Sequence, residues 1–189
     1  MICSIGLPAM QAPERFWSYK HVRYPFDIPE DLGLATRSHV VSVILDRQST
    51  EEEGVLVSKG GRSGGVSFYV KNNRLKYVYN PNHETYHIAE SDRELPLGKV
   101  KVELKFTVVG RQKAEVELFI DGEQTGKTLV EGFTVSMSTS LKYNPRSSVY
   151  EAHYEAPFEY SGIIDEFSIR VPSSVIDPLE ELQKDLQND

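Results

Sequence analysis

Residues 54–80 read GVLVSKGGRSGGVSFYVKNNRLKYVYN, and their grammar sets the expectation for the whole chain. Val66, Phe68 and Val70 alternate with Ser67, Tyr69 and Lys71, the period-two pattern of a strand with two unlike faces. Asn72-Asn73 suits a two-residue hairpin turn, because asparagine tolerates positive φ, and Leu75–Tyr79 returns as the next strand. The glycines of GGRSGG, 60–65, also read as a turn. A second strand follows them, so they lack the helix and the lysine that a phosphate loop needs. Arg62 at the tip is a candidate binding residue, since a guanidinium takes carboxylate or sulfate in bidentate fashion.

The same grammar runs outward from this stretch. His39–Asp46 (HVVSVILD) is almost continuously apolar, as expected of a strand covered on both sides. Val100, Val102, Leu104 and Phe106 alternate with Lys101, Glu103, Lys105 and Thr107; Ala114, Val116, Leu118 and Ile120 alternate with Glu115, Glu117 and Phe119. Two such runs predict antiparallel sheet with one wet side. Arg15–Tyr24, Thr85–Ala89, Phe133–Thr139 and Gly162–Val171 supply further strands, with Asp121-Gly122 as a turn and Ser140–Glu159 as a long polar loop. In the tail, Asp177 and Pro178 begin a short helix that carries Leu179, Leu182 and Leu186. The expected organisation is a flexible lead-in over 1–14, one β-sandwich over 15–171 and a helical tail over 172–189.

Composition narrows the partners. A net charge of -7 argues against nucleic acid and anionic membranes. No 18-residue apolar run is present, so no membrane-spanning helix is expected. The first residues lack a basic start followed by an apolar core, which predicts a cytoplasmic location if this is the full chain. Cys3 is the only cysteine, which excludes an intrachain disulfide and a multi-cysteine zinc site.

The stretch 54–80, together with LPLGKVKVELKF, LFIDGEQTGK and YEAPFEYSGIIDEFSIRV, resembles the C-terminal concanavalin A-like (LamG/jelly-roll) domain of large bacterial arylsulfatases. The likeness covers roughly residues 15 to 171, and Tyr154–Gly162 is its most specific part. It implies an all-β, two-sheet antiparallel jelly-roll sandwich, non-catalytic and packed on a sulfatase domain.

The residues themselves offer little chemistry. Cys3-Ser4-Ile5-Gly6-Leu7 lacks the Pro and Arg of a sulfatase nucleophile motif, so the chain is not itself a sulfatase. The E-x-D-x-x-E spacing of jelly-roll glucanases is absent, and Asp165-Glu166 are neighbours that a regular strand points to opposite faces. His83 and His87 lie four apart but flank a turn and a strand, so no metal pair, and no cofactor, is expected.

Aromatics are the better binding clue. Tyr69, Tyr77, Tyr79 and Tyr86 fall on consecutive strands, where an exposed shelf would stack sugar rings, with Arg37, Asn80 and His87 giving hydrogen bonds; cross-strand or core packing explains the same tyrosines equally. The sequence-level expectation is a lectin-like binding module for a glycan or small ligand, or for a sulfatase catalytic domain. Its alternatives are a small standalone enzyme with Tyr/His acid–base groups, and a structural assembly domain that forms a homodimer through the leucine tail.

Overall fold

The computed structural model describes residues 10–22, 37–132 and 148–176. Among them are twelve strands and no helix: β1 (Met10–Ala12), β2 (Arg15–Lys20), β3 (His39–Arg47), β4 (Gly54–Gly61), β5 (Gly64–Lys71), β6 (Arg74–Asn80), β7 (His87–Glu90), β8 (Gly98–Gly110), β9 (Lys113–Ile120), β10 (Glu123–Glu131), β11 (Ile163–Val171) and β12 (Ser174–Ile176). The strand expected over Phe133–Thr139 and the tail helix from Asp177 lie outside the described residues. Met10–Ala12, assigned by sequence to the lead-in, pairs with Ser174–Ile176.

Two antiparallel sheets make the sandwich. One has six strands in the order β10-β9-β8-β3-β11-β2; the other has four, β4-β5-β6-β7. This is the two-sheet antiparallel sandwich that the alternating pattern predicts, in the jelly-roll form that the resemblance implies. The hairpin turns form where the sequence places them. Asn72 and Asn73 have φ of 52° and 57°, and Asp121 and Gly122 have 50° and 83°, the positive pair that a type I′ turn requires. At GGRSGG the backbone crosses itself closely. A Cβ on Gly60 would stand 2.2 Å from the Gly64 carbonyl oxygen, and one on Gly65 would stand 2.4 Å from that of Lys59. Glycine is required there by contact as well as by conformation.

The core sits between the sheets. Val41, Val43 and Leu45 of β3, Val100, Val102 and Leu104 of β8, and Phe167, Ile169 and Val171 of β11 face Phe68 and Val70 of β5 and Leu75, Tyr77 and Tyr79 of β6. His39–Asp46 therefore differs from its expected two-sided burial. Its residues alternate between buried and half-buried, because only one face meets the other sheet. His39 ends this strand inside the core edge, where its Nδ1 donates to the Arg37 carbonyl at 2.9 Å and its ring stacks on Phe106.

Burial drives the His39 pKa down to about 4, against a smaller upward pull from the hydrogen bond to Arg37. The ring is thus neutral in the fold and takes up its proton first in the unfolded chain. Stability is held above pH 6.5 and falls as pH drops from 6.5 towards 4, by about 3 kcal/mol from this group. Denaturant titrations across that window should show a shallower decline in His39→Phe than in the wild type. Equal slopes would mean that the imidazole does not titrate in this way.

Candidate functional site

The outward faces of the two sheets differ sharply. On the four-stranded sheet, residues 148–160 lie across the outer surface. Their backbone joins the β4 edge through Val55 N–H to the Phe158 carbonyl at 2.8 Å. Val55, Tyr69, Val78, Val149 and Tyr154 are buried beneath this cover as a second, smaller core. Tyr69 is fully buried and its hydroxyl stands 2.5 Å from His153 Nδ1. Burial raises the Tyr69 pKa, which keeps the phenol protonated and makes it the donor. Burial also lowers the His153 pKa, so the imidazole is the neutral acceptor. The pair fastens the covering segment, and Tyr154, whose hydroxyl donates to Ser67 Oγ at 3.0 Å, fastens it again.

This placement corrects much of the expected tyrosine shelf. Tyr77 and Tyr79 point into the main core at 2% exposure each, and Tyr69 points outward but is covered. Asn80 is fully buried and spent on backbone groups. Its amide donates to the Arg62 and Val149 carbonyls, and its oxygen accepts from the Asn82 and His83 N–H groups. His87 bonds the Leu129 carbonyl at 3.0 Å. Arg37 donates to the carbonyls of Pro13 and Pro172. Only Arg62 and Tyr86 retain accessible surface in one neighbourhood. Arg62 Nε lies 3.4 Å from both His83 and Glu151, and Tyr86 packs on Tyr150 with ring centroids 4.6 Å apart.

Among the described residues nothing covers the outer face of the six-stranded sheet over β3, β8 and β11, and a cavity of about 370 Å³ lies on it. Strand register builds this groove in three rows. The floor is Ser168, Ser42 and Glu103, since Ser168 pairs Ser42 and Ser42 pairs Glu103; Ser18, opposite Ser168 on β2, continues the row beyond the groove. One wall is Phe16, Arg170 and Val40; the other is Glu166, Ile44 and Lys101. Across three strands at roughly 4.8 Å spacing, the floor runs about 10 Å perpendicular to the strands. Within it, Ser42 Oγ donates to Glu103 Oε1 at 2.7 Å, and Lys101 Nζ meets the same oxygen at 2.8 Å. Phe16 stands 58% exposed at one end.

None of the sequence-predicted binding residues lines this groove. Its composition was readable as the outward half of period-two strands, yet its assembly depends on register. One residue breaks the period altogether. Between Ile164 and Glu166 the pairing of β11 with β3 slips by one, so Asp165 is an extra, bulged residue. The two carboxylates therefore do not diverge as a regular strand would have them. Asp165 reaches Lys99 on the outer face at 2.9 Å, and Glu166 lines the groove beside it.

Sheet order and core together define an all-β, two-sheet antiparallel jelly-roll sandwich of the concanavalin A type. Among solved structures, the fold is similar to the CBM40 of the Ruminococcus gnavus IT-sialidase, bound to α2,3-sialyllactose, with a TM-score of 0.54 and 16% identity over 90% of this chain and 95% of that one. It is also similar to the Caenorhabditis elegans galectin LEC-6, with a TM-score of 0.50 and 10% identity over 80% and 94% of the two chains. Domains LG4-5 of the mouse laminin α1 chain give a TM-score of 0.52 and 12% identity; 94% of this chain spans 47% of that one. No protein-family model and no curated protein sequence matches the chain. At these identities the likeness is one of fold.

The Tyr69–His153 contact is assigned here to structure and not to ligand binding. Tyr69→Phe should lower the unfolding free energy by about 1 kcal/mol, the ordinary worth of one hydrogen bond, and leave any ligand affinity of the open sheet unchanged. Chemical denaturation and calorimetric titration on the same variant check both halves.

Proposed function

We propose that this protein is a lectin-like binding module that holds a carbohydrate in the serine-floored groove of its six-stranded sheet. The observation that carries this reading is the hydroxyl row running across the strands between an aromatic end and charged walls. A sugar chain presents hydroxyls on its rim and an apolar face on each ring. A floor of serines and a Lys101–Glu103 pair match the rim, and the open ring of Phe16 matches the face. The volume sits at the low end of the roughly 300–1,000 Å³ typical of small-ligand sites, which suits a short saccharide. The sialyllactose-bound CBM40 that shares this fold supports the same class of ligand. The resemblance of residues 54–80 and 154–171 to the arylsulfatase C-terminal domain supports a finer reading, in which the module accompanies a sulfatase and brings it to its glycan.

Ser42→Trp fills the floor from a half-buried position that faces away from the core. On a glycan array followed by calorimetry, the wild type should show saccharide binding and Ser42→Trp should lose at least about tenfold in affinity, or about 1.4 kcal/mol. Phe16→Ala should weaken binding several-fold. An array without hits, or unchanged binding by Ser42→Trp, would rule out the groove.

A further inference from the structure

We infer that the groove prefers a saccharide carrying a protonated amine, a 2-amino-2-deoxyhexose unit, with Glu166 as the group that selects it. This rests on the groove being the carbohydrate site. Four charged side chains line it, and they are not equivalent. From β8, Lys101 and Glu103 neutralise each other at 2.8 Å, and Ser42 completes that set. From β11, Arg170 lies 3.6 Å from Glu14. Two lysines that flank the groove are likewise paired, Lys105 with Glu117 at 2.8 Å and Lys99 with Asp165 at 2.9 Å. Among the described residues, Glu166 alone of the four has neither a hydrogen bond nor an ion pair. Lys20 stands opposite it in the β2 register without forming one.

The groove therefore presents one uncommitted negative charge on its wall, beside a hydroxyl floor. Its position is a product of the bulge. The extra residue Asp165 takes Lys99 on the outer face and leaves the next carboxylate over the groove. A ligand ammonium donates charge-assisted hydrogen bonds to such a carboxylate, stronger than those from a neutral hydroxyl. A carboxylated or sulfated sugar meets like charge at the same point and is disfavoured. The expected ranking is amine-bearing, then neutral, then acidic.

The probes are chitotetraose, fully deacetylated, its N-acetylated counterpart, cellotetraose and sialyllactose, titrated calorimetrically at pH 6. The deacetylated tetramer should bind about tenfold more tightly than the two neutral ones, and sialyllactose more weakly than either. Glu166→Gln should bring the deacetylated and acetylated tetramers to within about twofold of each other while keeping the neutral affinity. Glu84→Gln, an exposed carboxylate on the other sheet's side, controls for general attraction to an acidic protein and should keep the preference. Equal affinity for charged and neutral tetramers overturns the inference, as does a preference that survives Glu166→Gln or is lost equally in Glu84→Gln. If neutral tetramers bind and lose that binding on Ser42→Trp, the groove stands and only the amine preference fails. If no tetramer binds the wild type, the groove reading itself fails.

Discussion

The pairing of β11 against β3 constrains both faces of the larger sheet at once. On the inner side it aligns Phe167 with Val43 and Ile169 with Val41, the centre of the core. On the outer side the same register aligns Ser168 with Ser42 and Arg170 with Val40, the centre of the groove. A one-residue slip would exchange the two sets, burying serine and arginine and exposing phenylalanine and isoleucine. The cost of that exchange is what holds the hydroxyl row in line. The slip that does occur, at Asp165, lies at the end of the pairing, where it reaims a carboxylate without disturbing the core beyond Ile164.

The two sheets divide the labour through what covers them. Residues 148–160 close the four-stranded sheet, so its outward side chains become a second apolar layer and its polar groups are consumed locally. Tyr69 holds His153, Tyr154 meets Ser67, and Asn80 satisfies four backbone groups. Arg47 does similar work at one end of the sandwich. It is 1% exposed, and its guanidinium donates to Asn73 Oδ1 at 2.8 Å, the Leu95 carbonyl at 3.0 Å and the Ser49 carbonyl at 3.2 Å, tying a hairpin tip to two loops. Removing it would strand several buried carbonyls together. The six-stranded sheet has no such cover over β3, β8 and β11 among the described residues, and there the outward polar groups keep a free side.

Legibility in the sequence followed this division. Most strand positions, both type I′ turns and the inward sets of β8 and β9 were readable because alternation and positive-φ residues are local signals. Tyr77 and Tyr79 were readable as strand residues but not as core residues. Tyrosine suits either face, and the choice depends on the second sheet. Tyr69 is harder still: its outward direction was legible, and its burial comes from a segment some eighty residues away. The serine row escaped for a related reason. Ser18, Ser42 and Ser168 are unremarkable singly, and become a row only when three strands distant in sequence are aligned.

Electrostatics links the groove to the rest of the chain. The protein carries a net charge of -7, yet the outward face of β8 and β9 carries compensated pairs, Lys101 with Glu103 and Lys105 with Glu117. Ion pairs of this kind are worth little individually where solvent reaches them, as at Lys105, which is 46% exposed. Their larger effect is to flatten the local field, so that a ligand on this sheet meets hydroxyls and apolar surface before it meets net charge. Against that levelled background Glu166, which forms no ion pair with Lys20 opposite it, is the group that the proposed reading gives to a ligand. In a groove this short, discrimination comes from the charge left unpaired and not from the number of charges present.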